Sequence, residues 1–263
     1  MKYMGSKAKI ANDIINVIKD NNIFQKPQFV DLFCGGCNFT QSLNGIFDNV
    51  IANDMNPYLT AMWDRLTHSD MSFPEVIEKE LYVEWRDYYN RTKKNKEVTN
   101  IFATDSNTIN NYAMCGWIGY MGSFNGRFYD GGYSGHAVAN KSGGTRDYIS
   151  EQIANTKKQI PTLKNCVFTN YSYNDYPTQD NSIVYCDIPY KGTKQYGNST
   201  NFDYNTFYEW CLKTAKEKNI QLYVSEYNMP EDMFTCVWQK EVTNAMNPTK
   251  TKKPIEKLFI PKL

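Results

Sequence analysis

The stretch at residues 30–39 reads VDLFCGGCNF and joins a hydrophobic strand to a following helix through a glycine turn. The apolar residues around Val30 predict a buried strand that delivers Asp31 to its end. Gly35 and Gly36 then allow the backbone to approach a ligand closely. In open α/β sheets, ligands bind at the carboxyl ends of strands, where this turn lies. The GxGxxG spacing of dinucleotide-binding proteins is absent here, which disfavours a nicotinamide oxidoreductase.

The same alternation of strand and helix extends over most of the chain. Apolar runs of strand length, rich in Val, Ile, Phe and Tyr, lie at residues 28–33, 49–53, 166–169, 183–186 and 221–225. Helical stretches are predicted at residues 6–20, 39–45, 57–66, 146–159 and 204–218. This alternation predicts a mostly parallel sheet covered by helices on both faces. Near the end, residues 234–238 and 257–260 predict an antiparallel pair of strands joined by a Lys-rich loop.

The segment at residues 58–144 interrupts the alternation. It begins with helix-like sequence and continues into GWIGYMGSFNGRFYDGGYSG, where glycines and aromatic residues interleave. Because the segment is too long for a connection between a strand and a helix, we predict an inserted subdomain. The surrounding catalytic domain would then consist of residues 1–57 and 145–263. Arg127 lies among aromatic residues of the insert, a composition suited to stacking on bases while contacting phosphates.

Composition limits the classes of protein that remain. The chain has 263 residues with a net charge of +1, so overall charge does not indicate nucleic acid. Seven cysteines are an odd number and favour reduced thiols. Cys34 and Cys37 form a CxxC without a second pair, and His68 and His136 are isolated, so we predict no metal site. The mean hydropathy of −0.61, the absence of a long apolar run and the start of the chain predict no membrane span, no secretory signal and a cytoplasmic location.

Two further strand ends carry chemically useful groups. The second strand ends in AND at residues 52–54, about 20 residues after the glycine turn, where an acidic side chain accepts hydrogen bonds from ribose hydroxyls. Asp54 taken alone would more often cap a helix, but the glycine turn before it favours the ribose interpretation.

The sequence YCDIPYKG, residues 185–192, has the most specific pattern. A plain strand end with a proline turn is the alternative interpretation. However, Asp187 supplies a carboxylate acceptor, and the carbonyl of Ile188 is held extended because Pro189 follows it. Tyr190 adds an aromatic face. Two acceptors beside a stacking ring match an exocyclic amine on a planar base.

Five fragments, in this order, resemble the motifs of the D12-class, or Dam-like, DNA adenine-N6 methyltransferases. They are KYMGSK (residues 2–7), DLFCGG (31–36), AND (52–54), DIPY (187–190) and SEYNMP (225–230). The resemblance covers nearly the whole chain and is weakest in the insert. It implies a Rossmann-like class I methyltransferase sheet with a mostly helical DNA-recognition subdomain. It also implies S-adenosylmethionine as methyl donor, site-specific methylation of double-stranded DNA, and a companion restriction endonuclease as a candidate partner.

The resemblance assigns roles by motif position. The cofactor-binding residues are expected to be Tyr3, Gly5, Ser6, Lys7, Asp31, Phe33, Cys34, Gly35, Asp54, Asn170 and Asp187. The catalytic residues are expected to be Asp187, Ile188, Pro189 and Tyr190. In the insert, DNA contacts are expected from Ser123, Phe124, Asn125 and Arg127. Charge clustering adds Lys250, Lys252 and Lys253 in the predicted Lys-rich loop, together with the basic residues at 86–96.

The implied reaction extrudes an adenine from the duplex, stacks it on Tyr190 and lets Asp187 and the Ile188 carbonyl each accept one N6 hydrogen. The family usually has DPPY, whereas this chain has Ile188 in place of the first proline. The acceptor is a backbone carbonyl, so the change leaves it in place. Two alternatives stay open: transfer to cytosine N4 or RNA adenine, because the acceptors suit any exocyclic amine, and a DNA-binding homologue with weakened catalysis.

Overall fold

The arrangement of strands comes from a computed structural model that describes residues 1–93, 100–139, 143–192, 202–242 and 254–263. The strands are β1 (Gln28–Asp31), β2 (Asn49–Asn53), β3 (Val138–Ala139), β4 (Thr145–Arg146), β5 (Cys166–Thr169), β6 (Ser182–Asp187), β7 (Ile220–Glu226), β8 (Phe234–Glu241) and β9 (Ile255–Pro261). The α-helices are α1 (Ala11–Asp20), α2 (Pro57–His68), α3 (Lys79–Thr92), α4 (Ser106–Gly122), α5 (Tyr148–Lys157), α6 (Ile160–Leu163) and α7 (Tyr204–Glu217).

Seven strands form one mixed sheet in the order β5-β2-β1-β6-β7-β9-β8. The pairs among β5, β2, β1, β6 and β7 are parallel. Strand β9 runs antiparallel to both β7 and β8. This confirms the predicted Rossmann-like α/β architecture with an antiparallel pair near the end of the chain. Strand β1 lies between β2 and β6, so the strand order reverses there, and this reversal is the usual place for a ligand in an open α/β sheet.

Some predicted helices are shorter than expected. Residues 39–45 form only a 3₁₀ turn, Thr40–Leu43, because Asn44 is extended and Gly45 has a positive φ of 73°. Helix α1 begins at Ala11 rather than at residue 6, because turns precede it.

The helix predicted at residues 146–159 is also shorter than expected, because α5 runs only from Tyr148 to Lys157. Asp147 accepts a hydrogen bond from the amide of Ser150 and thereby starts α5 as its N-cap. Helix α5 ends at Lys157, and Pro161, which has no N–H to donate, lies in the first turn of α6.

The predicted insert shares its core with the sheet. Trp63 of α2 and Trp117 of α4 lie in the same buried cluster as Phe29 of β1. Helices α2 and α4 approach closely, since a Cβ added at Gly116 would lie 2.1 Å from the carbonyl oxygen of Tyr58. The first helix of the insert therefore also covers the sheet. The boundaries of the insert at residues 58 and 144 stay a prediction.

None of the described helices has the length and apolarity needed to cross a bilayer. The described residues as a whole hold no group of three or more His, Cys, Asp or Glu side chains that could bind a metal ion.

Candidate active site

Three carboxyl groups lie at the carboxyl edge of neighbouring parallel strands. Asp31 ends β1, Asp54 directly follows β2 and Asp187 ends β6. Burial raises the pKa of Asp31 to about 8 and the pKa values of Asp54 and Asp187 to about 6. Carboxyl groups with pKa values raised by burial at a sheet's ligand-binding edge are typical of functional sites.

Asp187 is paired with a lysine that the sequence places in the first motif. The Nζ of Lys7 lies 2.9 Å from Asp187 Oδ1 and also donates to the carbonyl of Gly5 at 3.2 Å. The same Nζ lies 4.4 Å from the centroid of the Tyr190 ring, over its face. Only 6% of the Lys7 side chain is exposed. Burial alone would lower the pKa of Lys7, but the charges of Asp187 and Glu256 outweigh it, so the pKa stays above its usual value.

The turn that follows Asp187 is fixed from several directions. Tyr190 donates its hydroxyl hydrogen to Glu256 Oε2 on β9 at 2.6 Å. Glu226, buried at the end of β7, accepts from the amide of Lys191 at 2.8 Å. The hydroxyl of Tyr204 on α7 donates to the carbonyl of Pro189 at 2.9 Å. Three elements therefore hold the DIPY turn and orient the Tyr190 ring.

Ile188 has a structural role in addition to its backbone carbonyl. Its side chain is 2% exposed and lies in a buried cluster with Val30, Val184 and Met229. Isoleucine therefore fills apolar space behind the turn.

Asp54 organises the glycine turn. Its carboxylate accepts from the amide of Gly35 at 3.0 Å and from the amide of Asn56 at 2.9 Å. The Tyr3 ring covers this turn, because a Cβ added at Gly35 or Gly36 would lie 2.5 or 2.6 Å from its atoms. These glycines are therefore needed for the close approach of residues 1–10, the first segment, which precedes α1, to the turn.

Asp31 provides the clearest sign that the edge is built to hold a ligand. Its Oδ2 accepts from the Thr40 hydroxyl at 2.6 Å, whereas its Oδ1 is buried and has no hydrogen-bond partner among the described residues. A buried carboxylate oxygen without a partner is costly unless something else pairs with it. A cationic amino group is the partner that such an oxygen prefers.

The remaining residues predicted to bind the cofactor lie around these carboxyl groups. The amide of Asn170 donates to the carbonyl of Asp54 at 2.8 Å and accepts from the amide of Ile101 at 3.3 Å, so it connects the edge to the insert. Phe33 stands edge-on to Phe207, at 6.0 Å between ring centroids. The Cys34 thiol is buried and directed at the carbonyl of Gly35.

The Ser6 hydroxyl is turned toward its own segment, where it accepts weakly from the amide of Ala8 at 3.4 Å. With Gly5 beside Lys7, the predicted cofactor residues are all at this edge of the sheet or in the first segment. Their contact with a cofactor stays a prediction.

The predicted DNA-binding residues of the insert form one loop after α4. Ser123 is buried, and its hydroxyl accepts from the amide of Tyr129 at 3.0 Å, so it shapes the loop. Phe124 is 45% exposed, and Asn125 next to it has a positive φ of 56°. Arg127 pairs with Asp130. This geometry presents Phe124 at the surface.

The first residues of the chain connect this loop to the active site. A Cβ added at Gly126 would lie 2.4 Å from the carbonyl oxygen of Lys2, so the loop rests on the first segment. The backbone of Lys2 bonds in both directions to the side chain of Gln152 on α5. Lys250, Lys252 and Lys253 lie outside the described residues, as do Lys94 and Lys96 of the other basic cluster.

The family model described as D12 class N6 adenine-specific DNA methyltransferase matches residues 3–227. The chain belongs to this family. The match includes the first segment, the glycine turn, the insert and the DIPY turn, which are the parts that meet at the site. The implied methyl donor of this D12 methyltransferase is S-adenosylmethionine.

Individual relatives are distant. The type II methyltransferase M.FokI from Planomicrobium okeanokoites is 26% identical over 236 residues, which are 80% of this chain but only 32% of that protein. A DNA adenine methylase from Vibrio cholerae serotype O1 is 22% identical over 253 residues, 87% of this chain and 80% of that protein. Among solved structures, the rRNA methyltransferase aviRa from Streptomyces viridochromogenes has a TM-score of 0.41 and 11% identity, covering 97% of this chain and 84% of that chain.

Three residues that hold the DIPY turn were missed by the sequence analysis. Glu226 was quoted within SEYNMP without a role, and Glu256 and Tyr204 were not singled out. Glu226 follows an apolar run of strand length, as Asp187 does, and this position could have indicated a role at the same edge of the sheet. Glu256 and Tyr204 reach the turn only through the sheet and helix packing, which no local pattern reveals.

Proposed function

We propose that this protein transfers a methyl group from S-adenosylmethionine to N6 of an adenine in double-stranded DNA, after extruding that adenine from the duplex. The substrate class follows from the family, and the residues assigned to the reaction follow from the geometry of the site. The adenine must leave the stack because its amino group cannot reach the edge of a sheet from inside a duplex.

One observation carries the assignment of the target pocket. A single nitrogen, Lys7 Nζ, lies 2.9 Å from Asp187 Oδ1 and also over the ring of Tyr190. The carboxylate and the aromatic face are therefore directed at one point that accepts a nitrogen donor. An adenine amino group on a ring stacked against Tyr190 has the same requirements.

The reaction then depends on positioning and electrostatics. Asp187 and the carbonyl of Ile188 each accept one N6 hydrogen, which draws the lone pair of the nitrogen out of conjugation with the ring. Tyr190 holds the base plane, and Glu256 holds Tyr190. A preorganised site of this kind accelerates transfer without a covalent enzyme intermediate.

The same edge of the sheet suits the cofactor. Asp31 Oδ1, which lacks a partner, would accept from the ammonium of the methionine end, and Asp54 would accept from ribose hydroxyls. Tyr3 and the glycine turn would enclose the cofactor from the side of the first segment. When bound, the cofactor supplies an electrophilic methyl group.

Phe124 is the residue of the insert best placed to enter the duplex. It is exposed, and its ring lies 6.1 Å from that of Tyr148, measured between centroids. Two cationic groups lie over the Tyr148 ring: Lys2 Nζ at 5.6 Å and the Arg146 guanidinium at 4.9 Å from its centroid. Apolar wedges beside cationic side chains are typical of proteins that unstack bases. We propose that Lys250, Lys252 and Lys253 add phosphate contacts.

The direct test incubates the protein with DNA or RNA and isotopically labelled S-adenosylmethionine, followed by mass spectrometry of the digested nucleic acid. N6-methyldeoxyadenosine is expected. Asp187→Ala should lower the yield by at least about a thousandfold, because the main acceptor of the amine is lost, and should still bind the cofactor through the other predicted residues, Asp31 and Asp54. Asp13→Ala, which removes a surface carboxylate paired with Lys240, is the matched control and should keep full activity.

Other products would overturn the assignment. Label on cytosine N4 or on RNA adenine would identify a different exocyclic amine. Full methylation by Asp187→Ala would show that the site lies elsewhere.

We further propose that methylation is specific for one DNA sequence and takes place in the cytoplasm, with a companion restriction endonuclease as a candidate partner. Long-read sequencing of DNA from cells that express the protein reports the modified base and its sequence context together. Digestion of that DNA with nucleases from the same source then tests the companion: methylated DNA should resist a nuclease that cuts the same sequence.

A further inference from the structure

Lys7 binds inside the pocket that the proposed function assigns to the target base. Its ammonium contacts a carboxylate, a backbone carbonyl and an aromatic face, from Asp187, Gly5 and Tyr190. A target amino group would have a matching set of contacts, with the carbonyl of Ile188 in place of that of Gly5. The lysine therefore satisfies the pocket with the protein's own atoms.

The lysine and the base cannot occupy the pocket together. Lys7 Nζ lies within hydrogen-bond distance of the same Asp187 oxygen and directly over the Tyr190 ring, where a stacked base would lie. The first segment must therefore release Asp187 before the reaction. A buried ammonium that loses the carboxylate it is paired with would be strongly destabilised, so a second acceptor is needed for it.

Glu256 is placed to provide that acceptor. It lies on β9 and binds the Tyr190 hydroxyl at 2.6 Å, at the far end of the same ring that Lys7 covers. Its charge contributes, after that of Asp187, to the raised pKa of Lys7, which shows that the two groups are within electrostatic reach. Movement of the ammonium along the Tyr190 ring toward the hydroxyl would bring it closer to Glu256.

We propose that Lys7 is a gate in the target pocket: its ammonium takes the place of the target amino group in the DNA-free protein and moves from Asp187 toward Glu256 when the base enters. This inference rests on the proposed function and adds a competition to it. Lys7 keeps Asp187 paired until a base replaces it, so base entry is opposed by the ion pair and assisted by Glu256. Lys7 is thus a positioning residue that acts through Asp187.

The experiment measures base extrusion separately from methylation. A duplex that contains the DNA sequence found by long-read sequencing is bound with a non-reactive cofactor analogue. Extrusion of the target adenine leaves the opposite thymine unpaired, and permanganate then oxidises that thymine. Five proteins are compared: the unchanged chain, Lys7→Met, Lys7→Arg, Glu256→Gln and the double variant of Lys7→Met and Glu256→Gln. Lys240→Met is the matched control, because it also removes a lysine from a Lys–Asp pair, at the surface.

Lys7→Met should increase the extrusion equilibrium by about tenfold or more, because a competing occupant of the pocket is gone. Glu256→Gln, which still accepts from Tyr190, should decrease extrusion when Lys7 is present and have no effect when residue 7 is methionine. Lys7→Arg keeps the cation and should not increase extrusion. Thermal unfolding verifies that each variant is folded.

The inference is overturned if folded Lys7→Met extrudes the base no more than the unchanged chain, or if Glu256→Gln has the same effect in both backgrounds. If Lys7→Met does not fold, Glu256→Gln in the unchanged chain still tests the receiving carboxylate, because extrusion that does not decrease would overturn its role. Either failure leaves methylation by the unchanged protein intact. Failure of the proposed function would instead appear as the absence of N6-methyladenine.

Discussion

The Asp187 carboxyl has a pKa of about 6, because burial and Glu256 raise it more than Lys7 lowers it. Only the ionised form can accept hydrogens through both oxygens. At saturating cofactor, kcat/KM for DNA should therefore fall about tenfold per pH unit below about pH 6. This parameter reports the pKa values of the enzyme before it binds DNA. A profile that is flat between about pH 5 and 7 would contradict this role of Asp187. Saturating cofactor separates the effect from Asp54, whose pKa is also about 6.

The buried Asp31 carboxyl lowers the free energy of unfolding by an amount that depends on pH. Its pKa is about 8 in the folded chain, far above the ordinary value of an aspartate. Between the two values the unfolded chain releases the proton and the folded chain keeps it. The free energy of unfolding therefore falls as the pH rises from about 4 to about 8, by on the order of a few kcal/mol.

Asp31→Asn should remove this pH dependence. The variant should gain melting temperature relative to the unchanged chain at about pH 9 and much less at about pH 5, as thermal unfolding at both pH values would show. It should also bind S-adenosylmethionine more weakly, because the acceptor for the ammonium has lost its charge. Asp13→Asn is the surface control. An equal stability change at both pH values would be inconsistent with a buried protonated carboxyl.

The DIPY turn is an element whose sequence departs from the usual motif without losing its geometry. Ile188 fills apolar space, and Glu226 and Tyr204 hold the turn on either side. Ile188→Pro should therefore change kcat by less than about threefold, because the acceptor is a backbone carbonyl already restrained by Pro189. It should lower the melting temperature, because buried apolar side-chain area is lost.

Steady-state kinetics and thermal unfolding check the two parts of this prediction, with Ile188→Val as the conservative control. A gain in kcat of more than about tenfold would mean that Ile188 had weakened an ancestral enzyme, since such a gain corresponds to more than about 1.4 kcal/mol of barrier.

At the scale of elements, the strands were predicted well and the helix ends poorly. Each parallel strand is a short buried apolar run, and this pattern is local. The start of α1 at Ala11 was not predicted, because the residues before it are held by the contact of Lys7 with Asp187, which lies far along the sequence. The start of α5 after Asp147 had a local signal, a capping aspartate, that helical periodicity concealed.

Over the whole molecule, the first segment contacts three parts of the candidate site: the loop of Phe124, the glycine turn and the DIPY turn. Lys2 supports the loop of Phe124, Tyr3 covers the glycine turn and Lys7 pairs with Asp187. The order of the motifs predicted that these parts belong to one site. It did not predict the contact between Lys7 and Asp187, because these residues lie far apart in the sequence and only the fold brings them together.

Phe124 should act only when DNA is bound. Phe124→Ala should lower base extrusion and methylation by about tenfold or more, because a wedge against the vacated stack is lost. Cofactor affinity and melting temperature should be unchanged, since the ring is 45% exposed. The salt dependence of DNA affinity should keep its slope, because no phosphate contact is removed. Fluorescence anisotropy at several salt concentrations measures that slope, and unchanged extrusion would exclude the wedge.

The central claim is that the pocket between Asp187 and Tyr190 receives the amino group of an extruded adenine. The most direct measurement is a crystal structure of the protein with its DNA duplex and a non-reactive cofactor analogue, read at the position of the target N6. The account predicts the adenine stacked on Tyr190, with N6 bonded to Asp187 Oδ1 and to the carbonyl of Ile188, and Lys7 displaced from that oxygen. An extruded base that rests elsewhere, with Lys7 still bound to Asp187, would contradict it.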